Sequence, residues 1–279
     1  MSVPRARIVV MAHNEERRIA TCLSSLPLGT AGIEAHVIVN GSTDRTAEIA
    51  RRFPGAQVHE YSQGGKARSW NRFVLDEAGP AEAFVFVDGD AEIVEGSVEA
   101  LLTMLSEHPQ ANAASGMPCN GRGVEAYRQE ILDEHGMFGD LYALRGSFVE
   151  RMRESGIRLP EDLIGDDSLI GAMAKTDLRN EDHWDEARVQ PCEGAGFLCE
   201  PTQITLGSLA GQYKRMINYS VRHYQNRIVS EIMRGPGPVG LPPSLASHYA
   251  RWLPRFSKRR NPVLWWIDRQ ALRRMAAKA

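Results

Sequence analysis

The sequence predicts an α/β fold: a mostly parallel sheet flanked by helices, followed by a helical C-terminal extension. Two observations carry the prediction. Over the first hundred residues, short apolar runs alternate with segments of helical period, and strands separated by helices of about 10–15 residues build βαβ units. From Met233 the chain changes character, with Gly-Pro-Gly-Pro at 235–238 and Leu-Pro-Pro at 241–243 ahead of a basic tail.

Taken in order, Arg7 to Ala12 is a short run rich in β-branched residues and reads as the first strand. Asn14 to Leu26 reads as a helix, with Ile19, Cys22, Leu23 and Leu26 on one face. Ala35 to Val39 is a second buried strand, and Thr43 to Phe53 a helix that Ser42 or Thr43 can cap. Val58 to Tyr61 gives a third strand, Lys66 to Ala78 a helix, and Ala83 to Val87 a wholly apolar strand. Ser97 to Glu107 is the next helix, Val124 to Gly146 reads as mostly helical, and Leu163 to Lys175 adds another. In parallel sheets, ligands sit beyond the carboxyl ends of the strands. His13-Asn14-Glu15, Asn40 to Asp44 and Asp88-Gly89-Asp90 each follow a strand directly, so all three should gather at one edge.

Composition narrows the function classes. The 279 residues are 43% hydrophobic and 24% charged with a net charge of −2, which suits an ordinary globular protein and not a nucleic-acid binder. Cys22, Cys119, Cys192 and Cys199 form no C-x-x-C pair, so neither a zinc site nor a redox motif is indicated. No leader-peptide shape and no run of about 18 apolar residues is visible, so cytoplasmic residence is expected.

Several short motifs could carry chemistry. Asp88 and Asp90 flank Gly89 on a turn, where two carboxylates can share a hard divalent cation such as Mg²⁺ or Mn²⁺. A solvated acidic turn has the same composition, but the apolar strand before it favours the metal reading. Asn40-Gly41-Ser42-Thr43-Asp44 could meet a base or ribose as well as turn the chain. Gly64-Gly65-Lys66-Ala67-Arg68 opens a helix with accessible N–H groups and two cations that could reach a phosphate. Asp166-Asp167 could supply a general base, although two acids at a helix N-terminus also serve as plain capping. Glu161-Asp162 lies close by in sequence and competes for the same role. Gln212-Tyr213-Lys214-Arg215 lies on a further helix. His183, His223 and His248 are scattered and read as structural or exposed. No G-x-G-x-x-G and no G-x-x-x-x-G-K-[ST] occurs.

Together these pieces resemble a family-2 glycosyltransferase with the GT-A fold, from about Ile8 to Arg215. I-V-V-M-A-H-N-E-E resembles the family's opening strand, and V-I-V-N-G-S-T-D its second strand and turn. G-K-A-R-S-W-N resembles the Gly-Lys-Gly-x-x-x-Asn stretch, and F-V-D-G-D the metal motif. L-I-G-D-D-S-L-I resembles the acceptor-side Glu-Asp motif, and P-T-x-x-T-L followed by Q-Y-K-R the Gln-x-x-Arg-Trp region. The resemblance implies that Ala12, His13, Glu15, Asn40 and Asp44 line the nucleotide pocket, Asn40 standing where the family often has the Asp that reads uracil. It implies Lys66 or Arg68 at the diphosphate, Asp88 near the ribose and with Asp90 at the metal, and Gln212 and Arg215 closing over donor and acceptor. Asp167 aligns with the catalytic Asp and Asp166 takes the place of its Glu.

The implied reaction moves a sugar from a nucleotide diphosphate sugar, a UDP-sugar being favoured, to an acceptor hydroxyl with Mn²⁺ or Mg²⁺ and inversion. Met216 replaces the Trp of polymerising members, which points to single transfers. The nucleotide part is expected at about 1–112, the acceptor part at 113–232, and a linker and tail at 233–279. Residues 251–279 contain nine Lys or Arg against one acid, Asp268, interleaved with Trp252, Trp265 and Trp266. This tail could lie on a membrane surface or pack on the domain. Two competitors are a sugar-1-phosphate nucleotidyltransferase, against which His13-Asn14-Glu15-Glu16 stands where a Gly-rich turn is expected, and a non-catalytic binding protein.

Overall fold

The computed structural model of the protein describes residues 3–121, 123–199 and 206–279. Eight strands form one sheet: β1 (Ala6–Ala12), β2 (Ile33–Asn40), β3 (Ala56–Tyr61), β4 (Ala83–Asp88), β5 (Ala91–Ile93), β6 (Ala113–Pro118), β7 (Leu141–Arg145) and β8 (Val189–Cys199), in the order β3-β2-β1-β4-β7-β6-β8-β5. β3, β2, β1 and β4 run parallel, as the alternating pattern predicts. Beyond β4 the sheet is mixed: β7 is antiparallel to β4 and β6, β8 is parallel to β6, and β5 is antiparallel to β8.

The central strands β1 and β4 are almost wholly apolar and buried because both of their faces are covered. Ile8, Val10, Val37, Val85 and Val87 pack on one face with α1 (Ile19–Ser24), α2 (Thr46–Ala50) and α4 (Ser97–Glu107). Val9, Met11, Phe84, Phe86 and Tyr142 pack on the other, with α3 (Lys66–Trp70), α6 (Gly146–Ser155), α7 (Asp166–Lys175) and α8 (Leu206–Arg234). On that face Trp70, Phe86 and Tyr142 stack with centroids 5.6 and 4.6 Å apart. Each fully buried side chain of this kind contributes roughly 1.5–3 kcal/mol.

Several predicted helices are shorter than their pattern. α1 begins only at Ile19, because the backbone before it bonds sideways: Asn14 adopts φ 57°, its Oδ1 accepts from Thr43 N, and Glu15 N donates to Thr46 Oγ1. α2 begins at Thr46, whose N–H donates to Asp44 Oδ1; Asp44 plays the part expected of Ser42 or Thr43. α3 runs on as a π-helical turn, Asn71–Glu77.

The stretch Val124 to Gly146 corrects the sequence reading. It holds α5 (Val124–Glu134), then β7, and Gly146 already opens α6. β6 and β8 also escape the pattern, being rich in Ala and Gly, which favour strands weakly.

The chain after Arg234 folds back as α9 (Ala246–Trp252) and α10 (Pro262–Ala276). Tyr249, Trp252, Ala271 and Met275 enter the same core as Phe84 and Phe86, while Trp265 and Trp266 stay exposed. Asp268 is fully buried, accepting from Ser220 Oγ on α8 at 2.5 Å and from Arg259. Among the described residues, no helix is long and apolar enough to cross a membrane.

Candidate active site

Level pairing of Ala12 with Val39 and of Met11 with Asp88 brings the ends of β1, β2 and β4 to one edge. His13 Nδ1 donates to Asn40 O at 2.6 Å and Asn14 Nδ2 donates to His13 Nε2 at 3.2 Å, which fixes the imidazole proton on Nδ1. The Asn40 amide is engaged within the protein, donating to Ala12 O and accepting from Gly65 N. Ala12 is buried. Gly89 passes so close above it that a Cβ there would lie 2.9 Å from the Ala12 Cβ, so the turn between Asp88 and Asp90 has room only for glycine. Asp44 ties the two loops together through Thr46 and Glu16 N. Burial alone would raise its carboxyl, but those hydrogen bonds hold it below the usual range.

The acidic turn gains a third member. Ligand oxygens of Asp88, Asp90 and Asp140 all lie within 4.8 Å of one another. Asp140 arrives there because β7 is antiparallel to β4: Val87 pairs with Leu141, and Asp88 N donates to Asp140 O at 3.2 Å. Burial, with Asp140 and Asp166 adding to it against Lys66, pushes the Asp88 carboxyl up to about 7. Asp140 is also raised, by burial and by Asp90. Lys66 Nζ sits 2.6 Å from Asp88 and 3.9 Å from Asp166. Burial would lower it, yet these two carboxylates hold it well above its ordinary value. Arg18 bridges Glu15 at 2.6 Å and Asp90 at 3.1 Å. Three mutually repelling oxygen donors converging in this way fit one hard divalent cation such as Mn²⁺ or Mg²⁺.

Two cavities meet here. The first, of about 700 Å³, is lined by His13, Glu15, Asn40, Lys66, Arg68, Asp88 and Asp90 from the strand ends, and by side chains of α8 and α10 opposite. The second, of about 750 Å³, is lined by Tyr127, Phe138, Trp184, Tyr219, Asp140, Asp167 and Arg222. Both share Lys66, Asp88, Gly165 and Asp166. Asp90 therefore faces the first chamber and Asp167 the second, with the Lys66 ion pairs between them.

The start of α7 sorts the neighbouring acids. Asp166 is buried beside Lys66, its Oδ2 has no hydrogen-bond partner, and burial raises its carboxyl. Asp167 Oδ1 accepts from Arg222 Nη2 at 3.1 Å. Gly165 is held at φ +85°, and a Cβ there would collide with the Arg222 guanidinium. Glu161 pairs with Arg68 at 2.8 Å, while Asp162 accepts from Leu245 N and Ala246 N and so anchors α9.

Of the residues singled out from sequence, His13, Glu15, Asn40, Lys66, Arg68, Asp88, Asp90, Asp166 and Asp167 thus surround the two chambers. Ala12, Asp44, Gln212 and Arg215 line neither; on α8 the lining side chains are Asn218, Tyr219, Val221, Arg222 and Gln225. Residues 201–205 of the Pro-Thr-x-x-Thr-Leu stretch lie outside the described residues. Sequence reasoning missed Asp140, whose only signal is the strand-like L-Y-A-L run after it. It also missed Arg18 and Arg222, which carry no local signal.

The profile of the family described as Glycosyl transferase family 2 matches residues 7–161, more than half of the chain. A 4,4'-diaponeurosporenoate glycosyltransferase of Staphylococcus haemolyticus is 30% identical over 101 residues, covering 34% of this chain and 27% of that protein. The match thus spans about a quarter of that relative's length. Among solved structures, a mannosyltransferase from Pyrobaculum calidifontis in complex with GDP-Man and Mn²⁺ superposes with TM-score 0.62 at 21% identity, covering 100% of this chain and 77% of that one. Glucosyl-3-phosphoglycerate synthase from Mycobacterium tuberculosis, with Mn²⁺, UDP and glucosyl-3-phosphoglycerate, gives 0.56 at 18%, covering 86% and 81%. These structures share the sheet and flanking helices of the GT-A fold, and with the sequence match they make the chain a member of glycosyl transferase family 2.

Proposed function

We propose that the protein transfers a sugar, a hexose or a close relative, from a nucleotide diphosphate sugar to an acceptor hydroxyl in one inverting displacement. The observation that carries this is the pair of chambers meeting at Lys66, Asp88 and Asp166, with Asp90 on one side and Asp167 on the other. The nucleotide diphosphate occupies the first chamber, its sugar lies at the junction, and the acceptor enters the second. The acceptor oxygen bonds to the anomeric carbon as the carbon–oxygen bond to the diphosphate breaks, the electron pair leaving on the phosphate oxygen. Asp167 takes the acceptor proton as general base, oriented by Arg222. Asp166, buried against Lys66, keeps that ammonium charged and aimed at the junction. Asp88, Asp90 and Asp140 would hold Mn²⁺ or Mg²⁺, which when bound neutralises the departing diphosphate. Met216, where polymerising members carry Trp, fits single transfers.

The donor base is left to His13, Glu15 and the loop around Gly64, because the Asn40 amide is already bonded to Ala12 and Gly65. UDP-sugars are the first donors to test. A panel of UDP-, GDP- and ADP-sugars with Mn²⁺, read for transfer and for slow hydrolysis, tests the reading. Asp167→Asn should lose about 10²- to 10⁴-fold in turnover while still binding donor; wild-type turnover in that variant would sink the assignment.

The tail supplies a partner reading. Val263, Trp265 and Trp266 are exposed on α10, and Lys258 and Arg269 stack on Trp265. The one acid of the tail, Asp268, is buried. A basic surface with exposed Trp suits the anionic face of a membrane. The double variant Trp265→Ser, Trp266→Ser should no longer float with vesicles containing anionic lipid; equal flotation removes the idea.

A further inference from the structure

Among the described residues, four long cationic side chains line the first chamber: Lys66, Arg68, Arg274 and Lys278. Two are already matched to carboxylates, Lys66 to Asp88 and Asp166, and Arg68 to Glu161. Arg274 and Lys278 have no carboxylate within ion-pair distance among the described residues. Arg274 donates instead to the neutral side-chain oxygen of Asn218 on α8, at 2.6 Å. Arg274 sits on α10 and Lys278 in the turn just after it, and the helix is firmly seated: Ile267, Asp268, Ala271 and Met275 are buried, and Asp268 binds Ser220 and Arg259. Meanwhile Glu15, Asp88, Asp90, Glu161, Asp162 and Asp166 line the same space. Carboxylates so outnumber cations that a phosphate-bearing ligand needs every uncommitted positive group there.

We propose that Arg274 and Lys278 bind the phosphates of the nucleotide donor, so that the last turn of α10 and the turn after it complete the donor site from outside the stretch matched by the family. This rests on the first chamber being the donor chamber. The Arg274 guanidinium offers a planar fork suited to phosphate oxygens, pre-set by Asn218, and Lys278 one turn on offers a mobile point charge.

The test uses the full chain with Mn²⁺ and the best-bound of UDP, GDP and ADP, against the matching nucleoside. In Arg274→Gln, Lys278→Gln, affinity for the diphosphate should fall at least about tenfold and depend less on salt, with nucleoside affinity unchanged. An unchanged diphosphate affinity, or an equal loss for nucleoside and diphosphate, overturns the proposal. A second measurement needs no variant: acylation of Lys278 in the wild-type protein, followed by peptide mass spectrometry. The diphosphate should shield Lys278 and the nucleoside should not; an unshielded Lys278 overturns the assignment. Failure of the wild-type protein to bind any of the three diphosphates would overturn the donor reading itself, and this with it.

Discussion

Asp140 shows what one residue can add to a motif. Asp88 and Asp90 declare themselves by following an apolar strand, and Asp166 and Asp167 by following a glycine. Asp140 comes to the same place only through long-range antiparallel pairing of β7 with β4, which no local window records. Asp140→Asn should weaken Mn²⁺ binding by more than the roughly 10- to 100-fold that loss of an outer-shell partner costs, read by calorimetric titration; unchanged affinity would exclude it as a ligand. Gly165 is the other position where a single atom decides. Alanine there meets both the left-handed backbone, at about 1–2 kcal/mol, and the guanidinium that orients Asp167. Gly165→Ala should therefore lower both the melting temperature and turnover, read by thermal unfolding and by transfer assay.

Elements were legible where one face of the pattern decides the packing. Ser97 to Glu107 is found as a helix end to end, and the four parallel strands fall where their apolar runs lie. Legibility failed where side chains compete with the backbone ladder, as at Asn14 and Asp44, and where strands use Ala and Gly in place of branched residues, as in β6 and β8. α10 depends on one buried charge that sequence alone would place in solvent. Burial would raise Asp268, but hydrogen bonds from Arg259 and Ser220 bring it down to about 2. With an unfolded value near 3.9, its contribution is fully present above about pH 4. It is lost as pH falls toward 2, amounting to about 2–3 kcal/mol. Urea unfolding of wild type and Asp268→Asn should differ strongly at pH 6 and much less near pH 2.5; a constant difference would refute this.

At the scale of the whole molecule, the chain's last forty residues are not an appendage to the core. Tyr249, Trp252, Ala271 and Met275 share a continuous apolar cluster with Val9, Phe86 and Tyr142. The compositional break at Gly235 to Pro238 is real, yet it marks a turn that sends the chain back, which composition cannot distinguish from a tether. Removing residues 246–279 should strip the cover from Val221, Tyr224 and Ile228 on α8 and give an aggregating protein with a lowered melting temperature. A soluble truncated chain that melts like the parent would refute the shared core.

The two chambers share Lys66, Asp88, Gly165 and Asp166 as common wall. Whatever rests against Lys66 and Asp88 from one side alters the field met from the other. Occupancy of either room must then change affinity in its neighbour, and by the same factor in both directions. On the proposed reading, donor and acceptor should thus bind as mutual effectors, coupled through a single shared ammonium.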